Sequence, residues 1–237
     1  MDGNSRRAQF LRGAKAGIPI VMGFFPVAIS YAIIARQAGM NTAQIGLMSL
    51  SVFAGASQIM AAGMWQQGAG ILAIIVATFL LNLRHVIMST CVFERMEASG
   101  RAPRLLAAYW VTDESFAVFT TGTRREDLTV WFFLGLGLIT YLAWFVGSVL
   151  GALLSNFLPE LLSASLGVAL YALFIALLIP GLQGNGRLFA LALLTAVCNS
   201  LLGLVMAASW ALILSTLLCA FLGVFFVDLG EEAEHEQ

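Results

Sequence analysis

The stretch GILAIIVATFLLNLRHVIMSTCVF, residues 70–93, contains an arginine and a histidine within an otherwise almost entirely apolar run. A helix needs about 20 apolar residues to cross the hydrocarbon core of a membrane, so the length of this run predicts a transmembrane helix. Arg84 and His85 lie in its second half. Because an isolated arginine at the centre of such a helix costs roughly 2.5–3.5 kcal/mol, its presence indicates a charged partner, a water-lined cavity, or both.

The whole chain, like residues 70–93, is unusually hydrophobic. Of its 237 residues, 60% are hydrophobic and 11% are charged, and the mean hydropathy is +0.91. Soluble domains are usually about 45–50% apolar and about 25% charged, so this chain requires lipid around it. The formal net charge of −1 gives no reason to expect a nucleic-acid partner. The three cysteines show neither metal-ligand spacing nor a disulfide framework: Cys91, Cys198 and Cys219.

Apolar segments follow one another along the chain, separated by short polar or glycine-rich linkers. We therefore predict an all-α polytopic membrane protein with about 6–8 transmembrane helices, some broken or re-entrant in the N-terminal half. Residues 1–16 form a basic flank, residues 17–227 a single transmembrane domain, and residues 228–237 an acidic tail. The apolar segments are 17–37, 44–66, 69–92, 106–121, 129–155, 161–182, 187–206 and 207–227.

The placement of Lys and Arg predicts orientation, because cytoplasmic loops are enriched in them. The flank is basic and no cleavage site follows it, so we expect a cytoplasmic N-terminus rather than an export signal. Loops 93–104 and 122–128 contain arginines and are predicted to be cytoplasmic, as is the C-terminal tail. Loop 156–160 has no basic residue and is predicted to face outward.

The N-terminal half conflicts with simple alternation, since three full crossings would put loop 93–104 outside. Either the charge rule is broken and there are eight spans, or one early segment and segment 106–121 each enter and leave from one side. Segment 44–66 favours a break through its Gly, Ala and Ser content, and segment 17–37 through Pro26. Broken helices are how many secondary transporters build sites in mid-membrane, although small residues also serve close helix packing.

One opposite-sign set of ionisable residues lies deep in the apolar segments: Arg84 and His85 against Asp113 and Glu114. Adjacent residues on a helix point about 100° apart, so one of each pair can meet its counterpart while the other faces a cavity. A buried ion pair that only locks two helices is the simpler alternative. A polar cavity accounts better for four ionisable groups close to the proposed breaks, and it suits a substrate with a carboxylate together with a proton.

Four motifs resemble the AzlC family, the large subunits of branched-chain amino acid exporters. They are PIVMGFFPVAISYAI (19–33), FAGASQIM (53–60), NLRHVIMS (82–89) and VTDESFAV (111–118), and the resemblance covers roughly residues 15–160. It implies a secondary exporter of valine, leucine and isoleucine, with methionine as a further candidate. It also implies a small AzlD-type membrane subunit as partner, coupling to protons, no cofactor or enzymatic activity, and a place in the bacterial cytoplasmic (inner) membrane.

The predicted site combines the charged set with nearby polar residues and with the apolar residues at the proposed breaks. We expect Arg84 to neutralise a carboxylate, Asp113 or Glu114 to meet an ammonium group or a proton, and His85 to carry a proton. The full set is Asn82, Arg84, His85, Asp113, Glu114, Ser57, Gln58, Phe25 and Pro26, with no metal ligands.

Two other classes of protein remain open at this stage. Ser57 in the sequence GAS, with His85, has some likeness to an intramembrane serine protease, but Gln58 stands where that family has glycine. A passive channel or a structural membrane subunit would also be rich in apolar segments. Intramembrane charges of opposite sign favour a transporter over both.

Overall fold

A computed structural model describes residues 3–96, 100–121, 129–155 and 186–226, and also positions 157, 175, 179 and 182. This described part contains ten helices and no strand, which confirms the all-α prediction. The helices are α1 (Gly3–Ala16), α2 (Ile18–Gln37), α3 (Thr42–Ser51), α4 (Gly55–Gln66), α5 (Ile71–Arg95), α6 (Arg101–Tyr109), α7 (Asp113–Thr121), α8 (Val130–Leu154), α9 (Gly186–Leu202) and α10 (Ala208–Phe226).

Three of these helices, α2, α5 and α8, are long and apolar enough to cross a membrane. Shorter apolar helices follow at Gly186–Leu202 and Trp210–Phe225. The protein is therefore a polytopic membrane protein, as predicted. Loop 122–128, most of segment 161–182 and the tail 228–237 lie outside the described residues.

The described residues form two compact units. Those up to Gln67 and from Leu81 to Phe157 form the first, and those at 68–80 and from Ile175 onward form the second. In the second unit, Gly223 of α10 packs on Leu191 of α9. There the Ser215 hydroxyl donates to Asn199 Oδ1 at 3.4 Å. The first unit contains every residue of the predicted site.

Helices α1 and α2 follow α8 in the same direction through close backbone contacts. A Cβ on Gly13 would lie 1.9 Å from the Phe132 carbonyl oxygen, and one on Gly135 would lie 2.0 Å from that of Phe10. Further along, a Cβ on Gly151 would lie 2.8 Å from the Ile29 Cα atom. Small residues let the helix backbones approach in this way, and dispersion contacts then hold them together. We call this contact the α2–α8 seam, with α1 as its extension.

The predicted N-terminal flank is thus a packed helix in the structure. The Arg6 guanidinium carbon lies 5.4 Å from the ring centroid of Trp131. The Thr129 hydroxyl, which caps α8, donates to Gln9 Oε1 at 2.9 Å. Both partners are almost fully buried, so the contact fixes α1 beside the start of α8.

Segment 44–66 is broken, as its small residues predicted. Helices α3 and α4 contain 10 and 12 residues, with Val52, Phe53 and Ala54 between them. At about 1.5 Å per residue, each piece covers roughly half of a 30 Å hydrocarbon core. A second break, Trp110–Thr112, separates α6 from α7 within segment 106–121.

The break favoured at Pro26 does not occur, and that expectation was wrong. Helix α2 runs without interruption through Pro26 from Ile18 to Gln37. Proline removes one backbone donor, and transmembrane helices tolerate this loss where neighbouring helices and hydroxyl side chains compensate. The carbonyl that loses its helical donor is that of Met22, and the nearby hydroxyl of Ser30 donates to the Pro26 carbonyl at 3.0 Å instead.

Candidate functional site

The two helix breaks lie against the same part of α8. Phe53 from the first break packs on Tyr141 with ring centroids 5.2 Å apart, and Trp110 from the second lies 5.8 Å from the same ring. One turn further along α8, the Trp144 ring covers Gly55, the first residue of α4. Both irregular segments are therefore packed on one scaffold helix.

A closed hydrogen-bond ring joins the first break to α8. Trp144 Nε1 donates to Gln58 Oε1 at 2.9 Å, and Gln58 Nε2 donates to the Ser49 hydroxyl at 3.2 Å. Ser49 donates to the Ser148 hydroxyl at 2.9 Å, and Ser148 donates back to the Trp144 carbonyl at 2.7 Å. The Ser49, Gln58 and Ser148 side chains are fully enclosed. Satisfied networks of this kind specify one arrangement, because a missing partner would leave a polar group buried without a bond.

The Leu50 carbonyl, close to the end of α3, is a helix-terminal acceptor that side chains satisfy. The amide that would bond to it in a continuous helix, that of Ala54, donates instead to the Val52 carbonyl at 2.8 Å. The hydroxyls of Tyr109 and Tyr141 both donate to Leu50, the second at 2.8 Å. The two hydroxyls thus supply hydrogen-bond donors, which the last carbonyls of every helix lack within the helix itself.

Arg84 and Asp113 form the ion pair that the sequence predicted. Arg84 Nη1 lies 2.9 Å from Asp113 Oδ2. The side chains retain 34% and 29% of their exposure, so the pair is accessible rather than sealed in the core. Arg84 Nε is buried and has no hydrogen-bond partner. The pair thus leaves at least this guanidinium donor unsatisfied.

The same turns of α5 also reach the first break. The Ser57 hydroxyl, at the start of α4, donates to Asn82 Oδ1 at 2.6 Å. His85 lies beside the Val111 backbone in the second break and near the charges of Arg84 and Asp113. One face of α5 therefore contacts residues at both breaks.

His85 and Glu114 complete the charged set in different ways. The Nε2 atom of His85 is buried and has no hydrogen-bond partner. No hydrogen bond therefore joins this nitrogen to Ser57, and the geometry does not support a serine nucleophile activated by His85. Glu114 lies in the first turn of α7, beside the Thr112 hydroxyl and Asp113.

The start of α7 is fixed by a reciprocal cap. The Thr112 amide donates to the Ser115 hydroxyl at 2.8 Å, and the Ser115 amide donates to the Thr112 hydroxyl at 3.2 Å. Such caps satisfy the free amides of a helix start. This cap sets the position of Asp113, the first residue of α7, opposite Arg84.

Phe25 and Pro26 lie within the uninterrupted helix α2 rather than at a helix break. Phe25 packs against Gly147 in the α2–α8 seam. Its neighbour Phe24 is the residue that reaches the first break, with its ring centroid 6.2 Å from that of Phe53 and 5.6 Å from that of Trp144. Phe24 therefore lies at the first break, whereas Phe25 packs in the seam.

Sequence reasoning missed the contribution of α8. Gly137, Tyr141, Trp144 and Ser148 are spaced four, three and four residues apart, which places them on one helix face. Three of these residues, Tyr141, Trp144 and Ser148, carry donors that need a partner when buried, and that combination was the available signal. Among the described residues, no cluster of three or more His, Cys, Asp or Glu side chains could hold a metal ion.

Comparison with known proteins agrees with this architecture. Residues 19–158 match the family model described as AzlC protein. An uncharacterized membrane protein of Archaeoglobus fulgidus is 35% identical over 78% of this chain and 81% of its own length. The inner membrane protein YgaZ of Escherichia coli is 27% identical over 97% of this chain and 95% of its own.

A further relative has a name that states a function. The branched-chain amino acid transport protein AzlC of Bacillus subtilis is 24% identical over 68% of this chain and 63% of its own. No solved structure matches the chain. The family match covers more than half of the chain and includes both helix breaks and the Arg84–Asp113 pair. The chain belongs to the AzlC family.

Proposed function

We propose that this protein is a secondary exporter of branched-chain amino acids, coupled to protons and working with a small AzlD-type membrane subunit in the bacterial inner membrane. Membership of the AzlC family and the name of the Bacillus subtilis relative support the substrate class. The observation that carries the proposal is the accessible Arg84–Asp113 pair between the helix breaks. Charges are kept at such depth in a membrane protein mainly where a substrate or ion passes.

The pair suits an amino acid because it contains a group for each end of a zwitterion. Arg84 binds the substrate carboxylate, using the Nε donor that its contact with Asp113 leaves unpaired. Asp113, released from Arg84, meets the substrate ammonium group, with Glu114 as the second carboxylate. Arg84 and Asp113 then pair with each other again once the substrate has left, so neither charge is left alone in the membrane.

The substrate side chain requires an apolar wall. Phe24 and Phe53 meet at the first break, and each is at most 5% exposed. One methylene group in an apolar pocket changes selectivity by about 1–3 kcal/mol. Valine, leucine, isoleucine and methionine should therefore be exported with similar efficiency, whereas lysine and glutamate should be poor substrates.

The proton has two candidate carriers next to the ion pair. Histidine changes its charge near physiological pH, and the buried Nε2 atom of His85 has no hydrogen-bond partner that fixes its protonation. Glu114 is an ionisable carboxyl near Arg84 and Asp113. Protonation at either group alters the charge that the Arg84–Asp113 pair experiences, which links proton movement to substrate release.

Export can be tested in cells that lack other branched-chain amino acid exporters. Cells that express the chain, with and without a co-encoded small membrane protein, are loaded with leucine-containing dipeptides. We expect leucine efflux only when both proteins are present, and slower efflux when the proton gradient is collapsed. Arg7→Ala, which changes an exposed arginine of α1, is the control and should export normally. Efflux equal to that of empty-vector cells would contradict the proposal.

A further inference from the structure

The two helix breaks meet at a single backbone atom, the Leu50 carbonyl oxygen. Leu50 is the last residue but one of α3, directly before the first break. Tyr109 is the last residue of α6, directly before the second break, and its hydroxyl donates to Leu50. Tyr141, from α8, donates to the same oxygen. One acceptor thus connects both breaks and the scaffold helix.

A second connection runs along α5. Asn82 accepts a hydrogen bond from Ser57, at the start of the helix that follows the first break. Two residues on, Arg84 pairs with Asp113, at the start of the helix that follows the second break. The half-helices before the breaks meet at Leu50, and those after the breaks meet α5. The contacts therefore form a closed circuit through both breaks.

The aromatic packing concentrates around the shared acceptor. Tyr109 and Tyr141 lie with ring centroids 5.9 Å apart and nearly edge to face. Phe53 and Trp110, one from each break, also pack on Tyr141. A displacement of either break changes the position of these rings, and with it the geometry of the hydroxyls that bind Leu50.

We propose that Tyr109 and Tyr141 are positioning residues that make the two helix breaks move together. Their hydroxyls bind a carbonyl that has no helical donor, so neither break can shift without breaking or carrying along these bonds. Movement at the Arg84–Asp113 pair is transmitted in this way to the first break. The consequence for export rests on the proposed function, whereas the mechanical link between the breaks does not.

A purely structural role of the two tyrosine hydroxyls would differ from the proposed positioning role in one measurable respect. If the hydroxyls only satisfy the carbonyl, their loss lowers stability, and the two breaks respond to perturbations as they did before. If the hydroxyls transmit movement, their loss makes the first break insensitive to changes at the second. The difference is a coupling between two positions, and it can be read without any substrate.

The coupling test uses a thiol at the first break. Cys91, Cys198 and Cys219 are replaced by alanine, and Val52→Cys provides a single reactive position that is 38% exposed in the native chain. Asp113→Asn removes the charge at the second break. We expect this change to alter the rate of Val52→Cys labelling by a membrane-permeant maleimide, by about threefold or more. In the Tyr109→Phe/Tyr141→Phe background, the same change should leave the rate unaltered.

Tyr31→Phe is the matched control, because Tyr31 is fully buried and its hydroxyl makes no hydrogen bond of good geometry, although Gln58 and Ser49 lie beside it. In that background the response to Asp113→Asn should persist. If Asp113→Asn lowers abundance in the membrane, Asp113→Glu provides a second perturbation. An unaltered labelling rate with both tyrosines present, or an equal change after both are removed, would overturn the proposal.

Export provides the second readout. Tyr109→Phe should lower the maximal rate of efflux by about three- to tenfold and leave the substrate concentration for half-maximal rate unchanged. A changed half-maximal concentration with an unchanged maximal rate would instead assign Tyr109 to substrate binding and overturn the proposal. If the native chain exports no amino acid, the proposed function fails, and the labelling experiment still decides whether the breaks are coupled.

Discussion

The α2–α8 seam and the two helix breaks lie in the same unit and use opposite kinds of contact. In the seam, glycines bring backbones together, as where Gly151 faces Ile29. At the breaks, side chains take over from helical hydrogen bonds, as where Tyr141 bonds to the Leu50 carbonyl. Close contacts between backbones are compatible with only one arrangement of the helices. A hydroxyl or a guanidinium group can instead exchange one hydrogen-bond partner for another. The seam is thus suited to hold the fold, and the breaks are suited to change during transport.

The described helices of this unit are not broken at proline. Proline lies within α2, which continues past it, whereas neither Val52–Ala54 nor Trp110–Thr112 contains a proline. At each break, polar side chains nearby satisfy the backbone groups that leave the helix. The free energy of an unpaired carbonyl or amide in a membrane therefore decides where a break can form, more than the loss of one donor at proline does.

The substitution that should destabilise the fold most lies in the α1 extension of the seam. Gly135→Ala would put a Cβ atom 2.0 Å from the Phe10 carbonyl oxygen, and a backbone neighbour cannot move aside as a flexible side chain can. Overpacking of this kind costs about 1–3 kcal/mol or more. We expect a severe loss of the protein from the membrane, measured as abundance and as the thermal unfolding temperature in detergent.

Gly23→Ala is the control for this change, because nothing lies within 4 Å of a Cβ at that position in α2. Its abundance should equal or exceed that of the native chain, since alanine favours helix by up to about 1 kcal/mol. Equal losses for both variants would mean that close approach in the seam does not determine stability.

A smaller effect is expected at the hydrogen-bond ring. Gln58→Leu keeps the volume of the side chain but leaves the Trp144 indole N–H without its acceptor and Ser49 without a donor. A buried group left unsatisfied costs about 1–3 kcal/mol. The unfolding temperature should fall, and efflux should fall further than abundance does because the first break loses its anchor on α8. Gln66→Leu, at an exposed position of the same helix, should change neither.

The smallest effect on the fold is expected at His85. If His85 carries the proton, His85→Gln should flatten the dependence of efflux on pH between about 5.5 and 8, because glutamine retains hydrogen-bonding atoms but does not titrate in this range. Abundance should be unchanged, since His85 Nε2 makes no hydrogen bond that would be lost and the glutamine amide can replace the contact with the Val111 backbone. A pH profile identical to that of the native chain would assign the proton to the carboxylates.

Much of the fold and part of the site could be predicted from single residues and their surroundings. Arg84 and Asp113 are costly in an apolar segment, and their opposite charges therefore predicted the contact that the structure contains. Gly, Ala and Ser in segment 44–66 predicted the first break. These predictions succeeded because burying a charge or a backbone group has a large free-energy cost that few arrangements relieve.

The residues that the sequence did not predict act through backbone atoms. Leu50 contributes a carbonyl, which every residue possesses, and its importance depends on where α3 ends. Tyr109 and Trp144 look like ordinary aromatic residues of an apolar segment until their donors are seen to face specific acceptors. Register between distant helices decides such contacts, and one chain without its relatives contains little information about that register.

The Arg84–Asp113 pair can be a transport site or only a lock between α5 and α7, and the two roles predict different effects of substitution. Removing one partner leaves an uncompensated charge, which costs about 3–5 kcal/mol where it is fully buried and less at the partial exposure of this pair. Arg84→Ala and Asp113→Ala should each abolish efflux and reduce abundance. Arg84→Lys should restore efflux poorly, because lysine lacks the planar fork of donors.

The double variant Arg84→Ala/Asp113→Ala distinguishes a transport site from a structural lock, with leucine efflux and membrane abundance measured side by side in the same cells. Removing both charges relieves the cost of leaving either one alone, so abundance should return close to that of the native chain. Efflux should remain at the empty-vector level, because the groups that bind the two ends of the amino acid are gone. Recovery of efflux together with abundance would show that the pair only holds two helices together.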